Sequence, residues 1–229
     1  TMSLLHAGWS VGTIVGSGAV AAVLYLNMPY MGSMYVICIV ALALMWTLRQ
    51  WCYARDFQAS DTADALTNST RVPFALIVIA IMTALSFFTE GAISDWAGLF
   101  LRDDKFASPT QTALSLAAFS IGMTFARFRG DAWRARFSIL PLLRASCGGA
   151  ALATLAFIAA PNAPLALLSL AVAGVCSANI VPLLFVRAGH IEGVSSARGV
   201  AYVAGMGYAS LLGGPALLGY LAHHWSLSL

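Results

Sequence analysis

Two carboxylates interrupt a long apolar run between residues 72 and 100, and chemistry in this chain would most naturally involve them. Glu90 and Asp95 are five positions apart, so an α-helix of 3.6 residues per turn separates them by about 140° around its axis. A general acid and its base must reach the same substrate. Different helix faces do not allow this, and no nucleophile or metal-ligand motif accompanies the pair. We therefore expect no catalytic residue, no metal and no cofactor.

Glu90 instead belongs to a polar stripe on one face of that segment. The stripe recurs at spacings of three, four and four residues, which places its members on the same side of a helix: Thr83, Ser86, Glu90 and Ser94. Lipid rejects such a face, so the stripe predicts a water-filled cavity between helices. The alternative is a carboxylate at the outer membrane surface. A helix beginning at Val72 would place Glu90 about 27 Å along its axis, in the outer third of an apolar core about 30 Å thick.

Other polar groups in the apolar runs allow two interpretations each. Asp95 aligns with Arg102, seven residues on, which predicts an ion pair at the outer surface. Trp96 either anchors its helix at the membrane interface or stacks on a solute. In a later run, Pro182 frees a helix carbonyl, and the nearby Asn179 either lines a cavity or bonds a neighbouring helix.

The elements that carry these groups follow from composition. The chain has 229 residues, 60% hydrophobic and only 9% charged, with a mean hydropathy of +0.83; a soluble domain carries about 25% charged residues. Seven apolar runs come close to the length that a membrane-spanning helix requires, about 17–25 residues. They lie near 8–26, 32–48, 72–100, 108–127, 138–160, 163–186 and 199–222. The predicted fold class is an all-α polytopic membrane protein.

Three of these runs, the first, fourth and seventh, carry small residues at every fourth position, which lets helices approach closely within lipid. The three ridges are Gly8, Gly12 and Gly16; Ala118, Gly122, Ala126 and Gly130; and Ala201, Gly205, Ala209 and Gly213. We predict close helix packing on these faces.

Basic residues orient the predicted spans. Arg102 and Lys105 stand apart from the other ten of the 12 Lys and Arg, which lie around the second, fourth and sixth links. Basic links stay on the cytoplasmic side, so we expect the chain to begin in the cytoplasm and end outside. The ten are Arg49, Arg55, Arg71, Arg127, Arg129, Arg134, Arg136, Arg144, Arg187 and Arg198. A net charge of +3 that is tied to these links does not suggest a nucleic-acid partner.

Several segments resemble the major facilitator superfamily of secondary transporters, and within it the fucose-permease-like and sugar-efflux-like branch. Glu90-Gly-Ala-Ile-Ser-Asp-Trp-Ala-Gly-Leu-Phe-Leu-Arg102 is similar to that branch's seventh helix. Ala126-Arg127-Phe-Arg-Gly130-Asp131 resembles the Gly-Arg-x-x-Gly-Asp loop between its eighth and ninth helices. Asn179-Ile-Val-Pro182 resembles the tenth, Gly213-Gly-Pro215-Ala-Leu-Leu-Gly219 the eleventh, and His6-Ala-Gly-Trp-Ser-Val-Gly12 the fifth.

The resemblance implies an alternating-access carrier of a small organic solute in the plasma membrane, the inner membrane of a bacterium. Proton coupling would pass through Glu90. The solute path would include four further residues, Ser86, Ser94, Trp96 and Asn179, and a cytoplasmic gate would include Arg127, Gly130 and Asp131.

Three segments follow from the same alignment with helices five to eleven of a twelve-helix fold. Residues 1–48 would form the last two helices of one half, 49–71 the central cytoplasmic linker, and 72–229 five helices of the other half. The first four helices and the last have no counterpart. The expectation is a partial chain that needs the missing helices or a partner chain, and the alternative function is a non-transporting membrane scaffold or remnant.

Overall fold

The computed structural model describes residues 2–26, 29–53 and 72–224, with side chains for 11–26, 29, 31–32, 34–47, 72–130 and 132–224. This part of the chain is helical throughout, apart from short links. The helices are α1 (Met2–Tyr25), α2 (Tyr30–Tyr53), α3 (Phe74–Asp104), α4 (Pro109–Arg136), α5 (Ile139–Ala159), α6 (Ala163–Ser177), α7 (Ile180–Ala188) and α8 (Ser196–His224). The all-α polytopic fold class is confirmed.

Each of the seven apolar runs forms helix, and the sixth is divided into α6 and α7. Pro182 causes the division, because it has no N–H to donate to the carbonyl of Ala178 four residues earlier. Within the described residues, four segments are long and apolar enough to cross a membrane: Phe74–Asp104, Ile139–Ala159, Ala163–Ala188 and Ser196–His224.

Two helices extend beyond the apolar runs that predicted them. Helix α2 continues to Tyr53, so the linker predicted at 49–71 begins inside a helix, and its remainder, 54–71, lies outside the described residues. Helix α4 continues to Arg136 instead of ending near Arg127. Charged residues mark where a helix can leave lipid, but Arg and Ala are good helix formers and do not end it.

Helix α4 begins at a reciprocal cap. The side chain of Ser108 accepts from the backbone N–H of Gln111 at 3.3 Å, and the Gln111 side chain accepts from the N–H of Ser108 at 3.0 Å. Pro109 occupies the first helical position, where its missing N–H costs nothing. This cap fixes the start of the helix that contacts α1, α3 and α6.

Helices α4 and α6 approach each other closely where they cross. A Cβ on Gly122 would overlap the carbonyl oxygen of Ala171, and one on Gly174 would overlap that of Phe119. The small-residue ridge predicted for α4 is therefore confirmed at Gly122.

The ridge predicted for α8 is on the wrong face. Gly205 and Gly213 have nothing within 4 Å of a Cβ position, and the buried residues of α8 are Gly199, Val203, Gly207 and Gly214. The reason is the partner helix: Phe87 and Phe88 of α3 project onto Gly207 and Gly214. In α1, Gly12 and Gly16 likewise have open space beside them.

Two separate apolar clusters hold the bundle. The Phe119 cluster contains Ile93, Ala97, Leu101, Phe119, Met123, Ala126, Ala153, Phe157, Ala160, Ala163, Ala166, Leu170, Ala173 and Ala178. The Val203 cluster contains Leu76, Ile79, Ala80, Ile180, Leu184, Ala188 and Val203. On α3 the clusters occupy opposite ends, and the α6–α7 division falls between them. Thr83, Ser86, Thr89 and Glu90 of α3 lie in the intervening stretch.

Candidate functional site

A cavity of ≈ 390 Å³ lies between α3, α5 and the α6–α7 division, next to the junction of the two clusters. This volume is in the range of small-molecule sites. Its polar lining consists of Ser86, Thr89, Cys147, Thr154 and Ser177. The hydroxyls of Thr89 and Thr154 each donate to a carbonyl of their own helix at 2.9 Å, so the cavity is mainly apolar with a few polar groups.

The predicted polar stripe of α3 does not share one environment. Thr83 is fully buried and donates to the carbonyl of Ile79 at 2.9 Å. Ser86 lines the cavity. Ser94 is exposed and donates to the carbonyl of Glu90 at 2.8 Å. Of the four stripe residues, only Ser86 therefore lines the cavity.

Glu90 faces α4. Its Oε1 atom is buried and accepts no hydrogen bond from any described residue. The carboxylate interacts electrostatically with the guanidinium of Arg127. Arg127 is only 6% exposed. An acid predicted to lie in the pathway is thus within electrostatic range of a base predicted to lie in a loop, without a hydrogen bond to Oε1.

The structure places Arg127 inside helix α4, where the motif resemblance predicted a loop. Helices α3 and α4 are consecutive and packed together. A short link joins the end of α3 at Asp104 to the start of α4 at Pro109. Glu90 lies 14 residues before that end of α3, and Arg127 lies 18 residues after that start of α4. At 1.5 Å per residue these are depths of about 21 Å and about 27 Å. The two side chains therefore lie at similar depth, well inside both helices.

The other two residues of the predicted gate also lie within α4. Gly130 is a buried helical residue, and Asp131 lies in the same helix with its side chain outside the described part of the chain.

Arg102 has a different partner from the one that spacing predicted. Its Nε donates to Asp103 at 2.6 Å, and both side chains are exposed. Seven residues correspond to about 10 Å along a helix, whereas Asp103 is adjacent to Arg102. Asp95 is exposed and Trp96 is half-buried. Trp96 follows Glu90 by six residues, about 9 Å along α3.

Asn179 lies at the α6–α7 division and is 4% exposed. Its neighbours in sequence, Ser177 and Ile180, line the cavity. The sequence patterns did not identify Thr89, Thr154 or Thr124 as candidate site residues. Thr124 is one turn before Arg127 on the same face of α4, and its Oγ1 is buried with no hydrogen-bond partner among the described residues. The three-residue spacing between Thr124 and Arg127 could have shown from the sequence that the two side chains share a helix face.

Comparisons with known proteins give relatives but no structural match. The chain is 28% identical over 228 residues to an uncharacterized MFS-type transporter of Yersinia pestis, covering 100% of this chain and 58% of that protein. It is 26% identical over 231 residues to an uncharacterized transporter of Sinorhizobium fredii, of which it covers 60%. The chain is therefore similar over its whole length to two proteins named as transporters, one of them of the MFS type.

A third relative is the membrane protein MosC of Rhizobium meliloti, 28% identical over 130 residues, or 56% of this chain and 31% of that protein. The chain thus spans about three fifths of the first two relatives. No family model matches the sequence, and no solved structure is significantly similar to it.

Proposed function

We propose that this protein is a secondary active transporter of the major facilitator type, which moves a small sugar-like or drug-like solute by alternating access and couples that movement to protons through Glu90. The observation that carries the proposal is the buried Oε1 of Glu90, which has no hydrogen-bond donor among the described residues although a guanidinium lies close by. A carboxylate oxygen in this situation is available to a proton.

Coupling follows from the surroundings of the carboxylate. A carboxylate prefers its charged form in water and its neutral form in an apolar environment. If one conformation wets Glu90 and another dries it, protonation and conformation are linked. Intramembrane acids are costly and commonly belong to proton or solute pathways, and the relatives named as transporters support a transport function.

The solute path is proposed on narrower grounds. Ser86 lines the cavity and Asn179 lies beside it, which supports both residues. Ser94 and Trp96 lie further along α3 and remain in the proposed path on the motif resemblance alone. The same resemblance supports the fucose-permease-like or sugar-efflux-like branch and a cytoplasmic gate at Gly130 and Asp131. It also supports Arg127 as the third member of that gate, from a position inside helix α4.

The test is proton-driven accumulation of radiolabelled monosaccharides in proteoliposomes that contain the whole encoded protein. One proton per solute supports about 100-fold accumulation under a gradient of about two pH units, since each unit is worth tenfold. We expect Glu90→Gln to equilibrate the sugar without accumulating it, because glutamine takes up no proton in this range. Glu192→Gln, an exposed acid outside the helices, is the matched control and should accumulate normally.

Solute exchange across the same liposomes, without a gradient, reports that the Glu90→Gln protein is folded. Gradient-driven accumulation by Glu90→Gln equal to that of the unmodified protein would show that Glu90 is not the coupling group. Failure of the unmodified protein to take up any monosaccharide would overturn the sugar-like solute.

A further inference from the structure

We propose that the corner where α4 passes into α5 binds the phosphate headgroup of an anionic phospholipid. The α4–α5 corner consists of three exposed arginines, Arg129, Arg136 and Arg144, together with the exposed apolar side chains around them. A site of this kind fixes the protein against its membrane, and it does not depend on the transport function proposed above.

The three arginines come together because the chain reverses direction at the corner. Only residues 137–138 separate the end of α4 at Arg136 from the start of α5 at Ile139, and both helices pack on α6. Arg129 lies seven residues before that end of α4, and Arg144 lies five residues after that start of α5. These are depths of about 10 Å and about 8 Å. An arginine stem can stay in lipid while its guanidinium extends to the polar surface, so all three charges can reach one headgroup layer.

The positive charge of the corner has no counter-ion among the described residues. From the start of α4 to the end of α7 the sequence contains six arginines and a single acid, Asp131, whose side chain lies outside the described part of the chain. Arg129 lies over the ring of Phe125 at 5.9 Å. Neither Arg136 nor Arg144 forms an ion pair with any described residue. A phosphate group suits such guanidinium groups, because its oxygens can accept two parallel hydrogen bonds from each of them.

The start of α5 adds no negative charge that would oppose this binding. Its first turn contains no acidic residue, and the N-cap residue Ser138 makes no side-chain hydrogen bond to that turn. The N–H groups and the dipole of a helix N-terminus favour an anion. The backbone therefore favours the same kind of ligand as the arginines, which supply the net charge.

The apolar side chains of the corner favour a lipid over a free phosphate ion. Phe128, Phe137 and Leu140 are 64%, 56% and 55% exposed. Helices α4 and α5 are not packed along each other within the described residues, so apolar surface of both helices remains available to acyl chains. Burial of apolar surface adds to the electrostatic attraction between basic residues and anionic lipids. A phospholipid with a net negative charge matches both parts of the corner.

The experiment measures which lipids the whole encoded protein retains. The protein is purified in a mild detergent that contains equal amounts of phosphatidylglycerol and phosphatidylcholine with the same acyl chains, and the retained lipids are identified by native mass spectrometry. We expect the unmodified protein to prefer phosphatidylglycerol. The double variant Arg129→Gln with Arg144→Gln should reduce that preference by about tenfold or more, since each arginine near an anionic membrane surface contributes about fivefold.

Two further double variants make the result specific. Arg129→Lys with Arg144→Lys keeps both charges and should retain most of the preference. The matched control is Arg102→Gln with Arg187→Gln, which removes two exposed arginines that lie outside the corner. Its preference should be unchanged. Thermal unfolding of each variant reports that the protein is folded.

Equal retention of the two lipids by the unmodified protein would overturn the proposal. Equal losses of preference in the two glutamine double variants would also overturn it, because the position of the arginines would then not matter. Displacement of phosphatidylglycerol by millimolar inorganic phosphate would show a site for a free ion instead of a lipid. None of these results depends on solute accumulation, so this proposal and the proposed function fail separately.

Discussion

Replacement of Gly122 by alanine is expected to destabilise the bundle by about 3 kcal/mol, at the upper end of the usual cost of overpacking. The added methyl would overlap the carbonyl oxygen of Ala171, and the next contacts are also backbone atoms of α6. Neither helix has a flexible side chain at this point that could move aside. The whole α4–α6 crossing must therefore widen. Thermal unfolding in detergent, followed by tryptophan fluorescence, measures the loss.

The control is the same substitution at Gly213 of α8, where a Cβ would meet nothing within 4 Å. There the change should be neutral or stabilise by about 0.5–1 kcal/mol, since alanine loses less backbone entropy than glycine in a helix. Equal stability of the Gly122→Ala and Gly213→Ala proteins would mean that α4 and α6 do not cross at Gly122.

Removal of one charge from the Glu90–Arg127 pair should cost more than removal of both. Loss of one partner from a directly bonded buried pair typically costs about 3–5 kcal/mol, whereas replacement of both is often close to neutral. Oε1 of Glu90 accepts no hydrogen bond from the described residues, so the loss for this charge pair should fall below that range. We expect the largest loss in Glu90→Gln, because the guanidinium left behind cannot lose its proton. Arg127→Gln should lose less, since Glu90 can become neutral by binding a proton.

A double-mutant cycle tests this expectation. The protein with Glu90→Gln and Arg127→Gln together should unfold at a higher temperature than the one with Glu90→Gln alone. Glu90→Gln combined with Arg129→Gln is the matched comparison and should give no such recovery. Strictly additive losses for Glu90 and Arg127 would show that the two side chains do not interact.

The sequence predicted the helices well because the requirement for a long apolar run is a strong and local constraint. All seven runs form helix in the structure. The ends were harder to predict: Arg127 marks a change in polarity, while α4 continues for nine more residues to Arg136. A helix that leaves lipid needs no break in its backbone hydrogen bonds. The end of a helix and the edge of the membrane therefore need not coincide, and the positions of charged residues predict only the membrane edge.

The site was half predictable. The position of Glu90 inside an apolar run, and its spacing from other polar residues, identified it as a pathway candidate. No local pattern showed that Arg127, 37 positions later, would lie within electrostatic range of it. The ridges illustrate the same limit. Small residues of α4 and α8 had equal spacing, yet Gly122 meets another helix and Gly213 does not. Which small face is buried depends on the partner's bulky side chains, here Phe87 and Phe88, and these belong to the tertiary fold.

The division between α6 and α7 separates one span into segments that belong to different clusters. Leu170 of α6 packs in the Phe119 cluster, whereas Leu184 of α7 packs in the Val203 cluster. They are 14 residues apart, about 21 Å along the span. At such distances the effects of substitutions add to within about 0.3–0.5 kcal/mol. The losses of unfolding free energy caused by substitutions in the two clusters therefore sum, and a stabilising substitution at one end of the bundle can offset a destabilising one at the other end.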